Sequence, residues 1–299
     1  MGMRVATFAA SDRLLQAALK VQAKQAEATL QQASGQISDN YGGLGNKAGS
    51  VVSLQSSVSM SKSYAEAANT ASTRVEAMYD AVDSIIDQIT SMKATLSSFS
   101  ATSSGTDELQ VTAEEMLESL ASLMNTQLGG RYLFAGSAVD RPPIDLDSLA
   151  SATSPSSADT SYYQGDDAVT AVKVSSEQTV SYGVTADNEN FEKALRALSL
   201  VASGATDSDA LTEASGLLDE AISGLATVQT RLSLNASALK TAISDQENYQ
   251  DFAGDLATSL SGVDVAVVAA KMSAYETQLQ AAYAAIGNIA SLKLSSYLS

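Results

Sequence analysis

From Gly262 to Ser299, apolar side chains recur at alternating steps of three and four residues: Val265, Val268, Met272, Tyr275, Leu279, Ala282, Ile286 and Ile289. That spacing lays one stripe along an α-helix. Each large member of the stripe gains roughly 1.5–3 kcal/mol on burial, so such a helix needs a partner. The matching ladder lies at the other end of the chain, in Val5, Phe8, Leu15 and Leu19, followed by Ala26 and Ala33. A chain whose two ends must meet folds back on itself, and its middle projects.

The composition suits long rods. Ala, Ser, Leu and Thr dominate, only 3 prolines occur in 299 residues, and aromatics make up 5%. Alanine favours helix and lets backbones approach closely, whereas proline would break the rods. Histidine and cysteine are absent. Their absence removes thiolate chemistry, disulfides, the commonest metal ligand and the commonest general base, so no catalysis, cofactor or metal is expected. A net charge of −17 argues against a nucleic-acid or anionic-membrane partner, which would require a surplus of Lys and Arg. The first twelve residues have no secretory-type apolar core, and no apolar run reaches the ~20 residues of a membrane span. If the protein leaves the cell, another route is expected.

Read in order, helical spacing runs from Phe8 to about Ile37 and ends near Ser38, Asp39 and Asn40. The glycine-rich Tyr41 to Gly45 then predicts a turn. A second rod holds the three-four rhythm from Val51 through Val58, Val75, Val82, Ile86 and Ile89 to Leu96, a helix of about 45 residues or roughly 70 Å at 1.5 Å per residue. The stretch Ser97 to Thr106 breaks it. Asp107 with Gln110 predicts the start of a third helix carrying Leu109, Met116, Leu120, Leu123 and Leu128, with Gly129 and Gly130 as its stop. Short strands are expected at Val169–Ser175 and Thr179–Thr185, where apolar and polar residues alternate. A fourth helix begins at Asp187 and Asn188, with Phe191, Leu195 and Leu198 on one face and Gly204 as its end. A fifth opens at Asp207 to Asp209 with one leucine per heptad, Leu211, Leu218, Leu225, Leu232 and Leu239, and Ala214, Ala221 and Val228 as companions. It is expected to lie against the Val51–Leu96 rod, with Asn235 as a candidate register residue or a solvated one. A phase shift between Gly254 and Gly262 predicts a joint before the final helix.

The fold class is therefore mainly α: a long antiparallel helical bundle or coiled coil formed by the N- and C-terminal halves, with a small central β-containing insertion. Three domains are expected: residues 1–40 with 263–299 as a terminal coiled coil, 41–137 with 187–262 as a helical rod, and 138–186 as a β-rich insertion.

Residues Asn125 to Ser137 read Asn-Thr-Gln-Leu-Gly-Gly-Arg-Tyr-Leu-Phe-Ala-Gly-Ser, and their centre (Gly130, Arg131, Tyr132, Leu133, Phe134, Ala135, Gly136) is similar to a signature of hook-filament junction proteins, the third hook-associated proteins of the flagellin superfamily. Tyr162 to Asp166, the Val180–Val184 strand, Asp264 to Ala266, Gln278 to Ala281 and Leu292 to Leu298 also resemble that family. In place of its longer Ser-Gly-rich motif after the first helix, the chain has a shortened Tyr-Gly-Gly-Leu-Gly segment within Ile37–Gly49.

The resemblance implies an extracellular structural subunit of the bacterial flagellum that polymerises between hook and filament, exported by the flagellar type III system. It implies copies of itself, the first hook-associated protein and flagellin as partners, together with a type III export chaperone, and neither nucleic acid nor membrane. The candidate assembly seam comprises Phe8, Leu15, Leu19, Val265, Val268, Met272, Leu279, Ile286, Ile289 and Leu298. A filament flagellin is the alternative, and a surface glycan-binding adhesin using Tyr162 and Tyr163 is a weaker one.

Other motifs carry little. Ser59 to Lys62 and Ser237 to Lys240 match Ser-x-x-Lys without an oxyanion-loop context. Gly45-Asn46-Lys47 lacks the order of a phosphate loop, Asp145-Leu146-Asp147 lacks the rest of a calcium loop, and the Asn235-Ala236-Ser237 sequon falls within a helix. For Arg131 to Phe134, local core packing is preferred to a ligand site.

Overall fold

The computed structural model describes residues 2–99, 103–205 and 207–295, and the side chains of residues 9, 11–99, 105–205 and 207–289. The fold is mainly α. Among the described residues six helices, α1 (Gly2–Ser34), α2 (Ala48–Ser98), α3 (Ser103–Met124), α4 (Glu189–Ala202), α5 (Ser208–Ser261) and α6 (Val265–Ser295), carry two small antiparallel hairpins. These are β1 (Gln127–Leu128) with β2 (Arg131–Tyr132), and β3 (Ala171–Lys173) with β4 (Thr179–Ser181). Contacts divide the chain into two compact units, residues 1–59 with 249–299, and residues 60–248.

The central unit, 60–248, holds the large core. Val75, Val82, Ile85, Ile89 and Met92 of α2 meet Leu218, Leu225, Val228, Leu232 and Leu239 of α5, as the heptad spacing predicts. Polar bonds fix the register of the two rods. The Ser61 hydroxyl, buried on α2, lies 2.9 Å from the Gln246 carbonyl and 2.7 Å from Gln246 Oε1, and Gln246 Nε2 donates to the Val174 carbonyl at 3.0 Å. One amide thus fastens α2, α5 and the β3–β4 hairpin. Asn235, the residue expected in that role, is half-buried. Helix α4 starts at Asn188, whose side chain accepts from Asn190 N, and its buried Phe191, Ala194, Leu195 and Leu198 pack into the same core. Gly204, at φ 79°, closes it.

Three sequence expectations need correction in this unit. Helix α3 begins at Ser103, ahead of the expected Asp107, and ends at Met124. Leu128 belongs to β1, not to α3. Gly129 and Gly130, at φ 62° and 76°, do not stop a helix: they form the two-residue turn of the β1–β2 hairpin, in which Leu128 faces Arg131. Two positive φ values side by side suit a hairpin turn whose twist matches its strands, which is why glycine is needed twice.

In the terminal unit, 1–59 with 249–299, α1 packs against α6. Helix α1 stops at Ser34, earlier than Ile37, because Gly35 takes φ 69° and returns its N–H to the Gln31 carbonyl. The segments that follow α1 and α5 are then joined by backbone bonds from Ile37 N to the Ser261 carbonyl (2.7 Å) and from Val263 N to the Gly35 carbonyl (2.9 Å). The Tyr41–Lys47 segment is a 3-10 turn capped by Asn40, with Leu44 buried. Helix α5 runs unbroken through Gly254, so the joint expected across Gly254–Gly262 is confined to Gly262–Asp264. There the Asp264 carboxylate accepts from Ala266 N and Val267 N and starts α6.

Candidate assembly surface

The two terminal helices divide their apolar residues differently. On α6 the inward face carries Val268 (3% exposed) and Leu279 (7%), with Met272, Tyr275, Ala282, Ile286 and Ile289 half-buried between and beyond them. The expected seam is therefore the inward one, except that Val265 is exposed. On α1 the inward face is offset by one residue from the expected ladder. Leu14, Ala18, Val21, Gln25, Ala28 and Gln31 point inward, with only Ala18 and Ala28 fully buried. Leu15 and Leu19 are 50% and 56% exposed, and Leu30 is exposed as well. At 100° per residue these leucines form a second stripe about a third of a turn from the first. Helix α1 is apolar on two sides, and its own chain covers one. The Phe8 side chain and Leu298 lie outside the described residues.

The same contrast runs through the whole terminal unit. Among its described residues only eight apolar side chains are buried, and four of them are alanines: Ala18, Ala28, Ala253 and Ala257, beside Leu44, Val51, Val268 and Leu279. Eleven of the sixteen large apolar side chains that stand exposed in the described chain belong to this unit, which is the smaller of the two. They include Tyr249, Phe252 and Leu256, which follow each other by three and four residues on α5. The uncovered apolar surface of the described residues is thus concentrated in the terminal unit.

Charge is partitioned along the same boundary. Residues 1–59 and 249–299 contain seven acidic and seven basic side chains, so the terminal unit is neutral. Residues 60–248 contain 27 acidic and 10 basic side chains and carry the entire net charge of −17. A neutral surface meets no net repulsion from another like it, because it is like charges brought together that repel.

The Gly130 to Gly136 segment has a different role. Leu133, Phe134 and Ala135 are buried, and the Phe134 ring meets Phe191 edge-on at 5.8 Å between centroids. Its backbone is a junction: Leu133 N donates to the Thr126 carbonyl, Tyr132 N to Val139, and the Phe134 carbonyl accepts from Ala186 N at 2.9 Å. The Asp166 carboxylate accepts from Ser137 N at 2.8 Å, from the Ser137 hydroxyl and from Ala168 N, bonds that hold it below the usual carboxylate range. Gly136 and Gly165 allow this approach, since a Cβ on Gly165 would lie 2.6 Å from the Ala135 carbonyl oxygen. The signature is a core junction, as the packing expectation had it.

Neither insertion tyrosine is available as a glycan platform. Tyr162 is fully buried, with its hydroxyl donating to the Ala186 carbonyl at 3.0 Å, and Tyr163 is half-buried and donates to the Asp166 carbonyl at 2.6 Å. Burial pushes both phenols well above their ordinary value. The Asp145 carboxylate accepts from Asp147 N and the Ser148 hydroxyl, capping a short 3-10 turn. Lys240 pairs with Glu76 at 2.9 Å. Among the described residues no group of His, Cys, Asp and Glu is arranged to hold a metal ion, and no helix is long and apolar enough to cross a membrane.

No protein-family model matches the chain, and no curated protein sequence does. Solved structures resemble it in fold. A candidate flagellar hook-associated protein from Vibrio parahaemolyticus superposes with a TM-score of 0.61 at 16% identity, covering 75% of this chain and 99% of its own. FlgL from Bacillus cereus superposes with a TM-score of 0.46 at 14% identity over 67% of this chain and 99% of its own.

Proposed function

We propose that the chain is a structural subunit of the bacterial flagellum that polymerises between hook and filament, and that its terminal unit completes its burial against neighbouring copies. The observation that carries this reading is the makeup of that unit: among its described residues eight buried apolar side chains and eleven exposed large ones, and no net charge. A unit so poor in internal core and so rich in uncovered apolar surface gains stability from neighbours. The likeness in fold to a structure described as flagellar and hook-associated supports the place of action. The candidate seam on this reading is Leu15 and Leu19 outward on α1, with Val268, Met272, Leu279, Ile286 and Ile289 closing the internal pair and Val265 exposed beside them.

The proposal includes the three-part division of the chain, 1–40 with 263–299, 41–137 with 187–262, and 138–186 as the insertion. It also includes export through the flagellar type III route with a chaperone, and contacts with the first hook-associated protein and with flagellin. The function requires no reaction. Immunogold labelling of isolated flagella tests it, with label expected as one band at the hook-filament boundary. Label along the whole filament would identify a filament subunit instead, and its absence from flagella would refute the reading. In a deletion strain, intact hooks without filaments, with flagellin released to the medium, are expected.

A further inference from the structure

The terminal unit is neutral, while the central unit carries 27 acidic against 10 basic side chains. Ion pairing does little to quench that surplus. Four of the basic residues, Lys93, Lys193, Arg196 and Lys240, are already paired with Asp219, Glu220, Glu192 and Glu76. Acidic residues such as Glu66, Asp87, Glu115 and Glu118 stand exposed along α2 and α3. Copies that join through their terminal units bring their covalently attached central units together as well. Each such approach sets one −17 body against another, over a distance that salt decides: the Debye length is roughly 30 Å at 0.01 M ionic strength, 10 Å at 0.1 M and 3 Å at 1 M.

We infer that the acidic central unit is an electrostatic brake on self-association, so that ionic strength sets the threshold at which the apolar terminal units join copies of this chain. The inference rests on the self-assembly reading above and adds its regulation. Attraction and repulsion occupy different parts of the chain, so the brake can be changed without touching the surface that joins.

The test follows association of the full-length protein by sedimentation velocity and light scattering from 0.02 to 1 M NaCl. Three proteins are compared: the natural chain, a variant with Glu66→Gln, Asp87→Asn, Glu115→Gln, Glu118→Gln, Glu177→Gln and Glu247→Gln, and a variant with Lys62→Gln and Lys173→Gln. All eight positions are exposed and lie in the central unit. Removing six negative charges cuts repulsion between copies, which scales with the square of net charge, to about two-fifths. The ionic strength at half-association is expected to fall about twofold in the first variant and to rise in the second, with unchanged helix content by circular dichroism. Salting-out of apolar surface alone would move all three proteins together. Association with one common midpoint, or association that weakens as salt rises, overturns the brake and leaves the assembly reading standing. Absence of association in all three proteins up to 1 M NaCl overturns both.

Discussion

Gly136→Ala isolates the role of the signature segment. Gly136 sits at φ 67°, and a Cβ there would press into both the backbone carbonyl oxygen and the carboxylate of Asp166. Left-handed backbone costs an alanine roughly 1–2 kcal/mol. Relieving the clash requires the 163–168 loop to move away, which breaks the bond from Asp166 N to the Ala135 carbonyl, worth about 0.5–1.5 kcal/mol. The substitution is expected to cost roughly 1.5–3.5 kcal/mol, or about 3–14 °C in the melting of a unit this size at 2–4 °C per kcal/mol. Gly129→Ala is the control: φ is 62° there too, but a Cβ would meet nothing within 4 Å, so only the backbone cost applies. Urea and thermal unfolding followed by circular dichroism would read both. If Gly136→Ala melts within experimental error of Gly129→Ala, the segment is not the core junction described here.

Ser61→Ala removes the buried hydroxyl that meets the half-buried Gln246, so a loss of about 0.5–1.5 kcal/mol is expected in urea unfolding. Replacing Leu15, Leu19 and Leu30 together by serine should change monomer stability by no more than about 0.5 kcal/mol per site and suppress association measured by sedimentation, whereas Leu279→Ala should destabilise the monomer by about 2–4 kcal/mol. The Glu213 carboxylate is held below its ordinary range by the Ser156 hydroxyl, the Ser154 hydroxyl and Ser156 N, and Asp159 by Ser161 N, Ala150 N and the Ser161 hydroxyl. Because both folded values are lowered, their contribution is complete above the unfolded values near 4 and is lost as pH falls through the folded ones. Hydrogen exchange should show the amides of Ala150, Ser156 and Ser161 losing protection at acid pH before those of α2, and uniform loss would refute this.

Long elements were legible because their pattern repeats. The α2 and α5 rods each span more than a dozen turns, so a one-residue error in phase cannot persist through them, and Leu218, Leu225, Leu232 and Leu239 are buried as their spacing predicts. On α1 the larger side chains misled. Leu15 and Leu19 define the stronger apolar stripe in the sequence, but the inward stripe is built from Leu14, Ala18, Val21 and Ala28. Spacing reports that a side chain seeks cover without saying whose. The Gly129-Gly130 turn was missed for a related reason: two glycines end a helix or turn a hairpin equally well, and only the pairing of Gln127 with Tyr132 decides. The neutrality of the terminal unit could have been counted in the sequence, but the boundary at which to count comes from the contacts.

The two stripes of α1 also bear on how strongly copies can join. Small side chains and amides on the inward face let α1 approach α6 closely, and Gln31 spends its amide on the Ile37 carbonyl at 2.9 Å. This face aligns the pair but contributes little apolar burial. The outward leucines are each half or more exposed, so about half of the roughly 1.5–3 kcal/mol per leucine is still unclaimed. Leu15, Leu19 and Leu30 together leave roughly 2–5 kcal/mol per copy for a neighbour to supply, about thirty- to several-thousandfold in an association constant. These three leucines offset only part of the loss of translational and rotational freedom when two free copies meet, which costs roughly 4–15 kcal/mol, so association in solution also draws on other exposed apolar side chains of the terminal unit, Tyr249, Phe252 and Leu256 among them. On the assembly reading, such a face favours copies that arrive next to an existing end over copies that meet in solution.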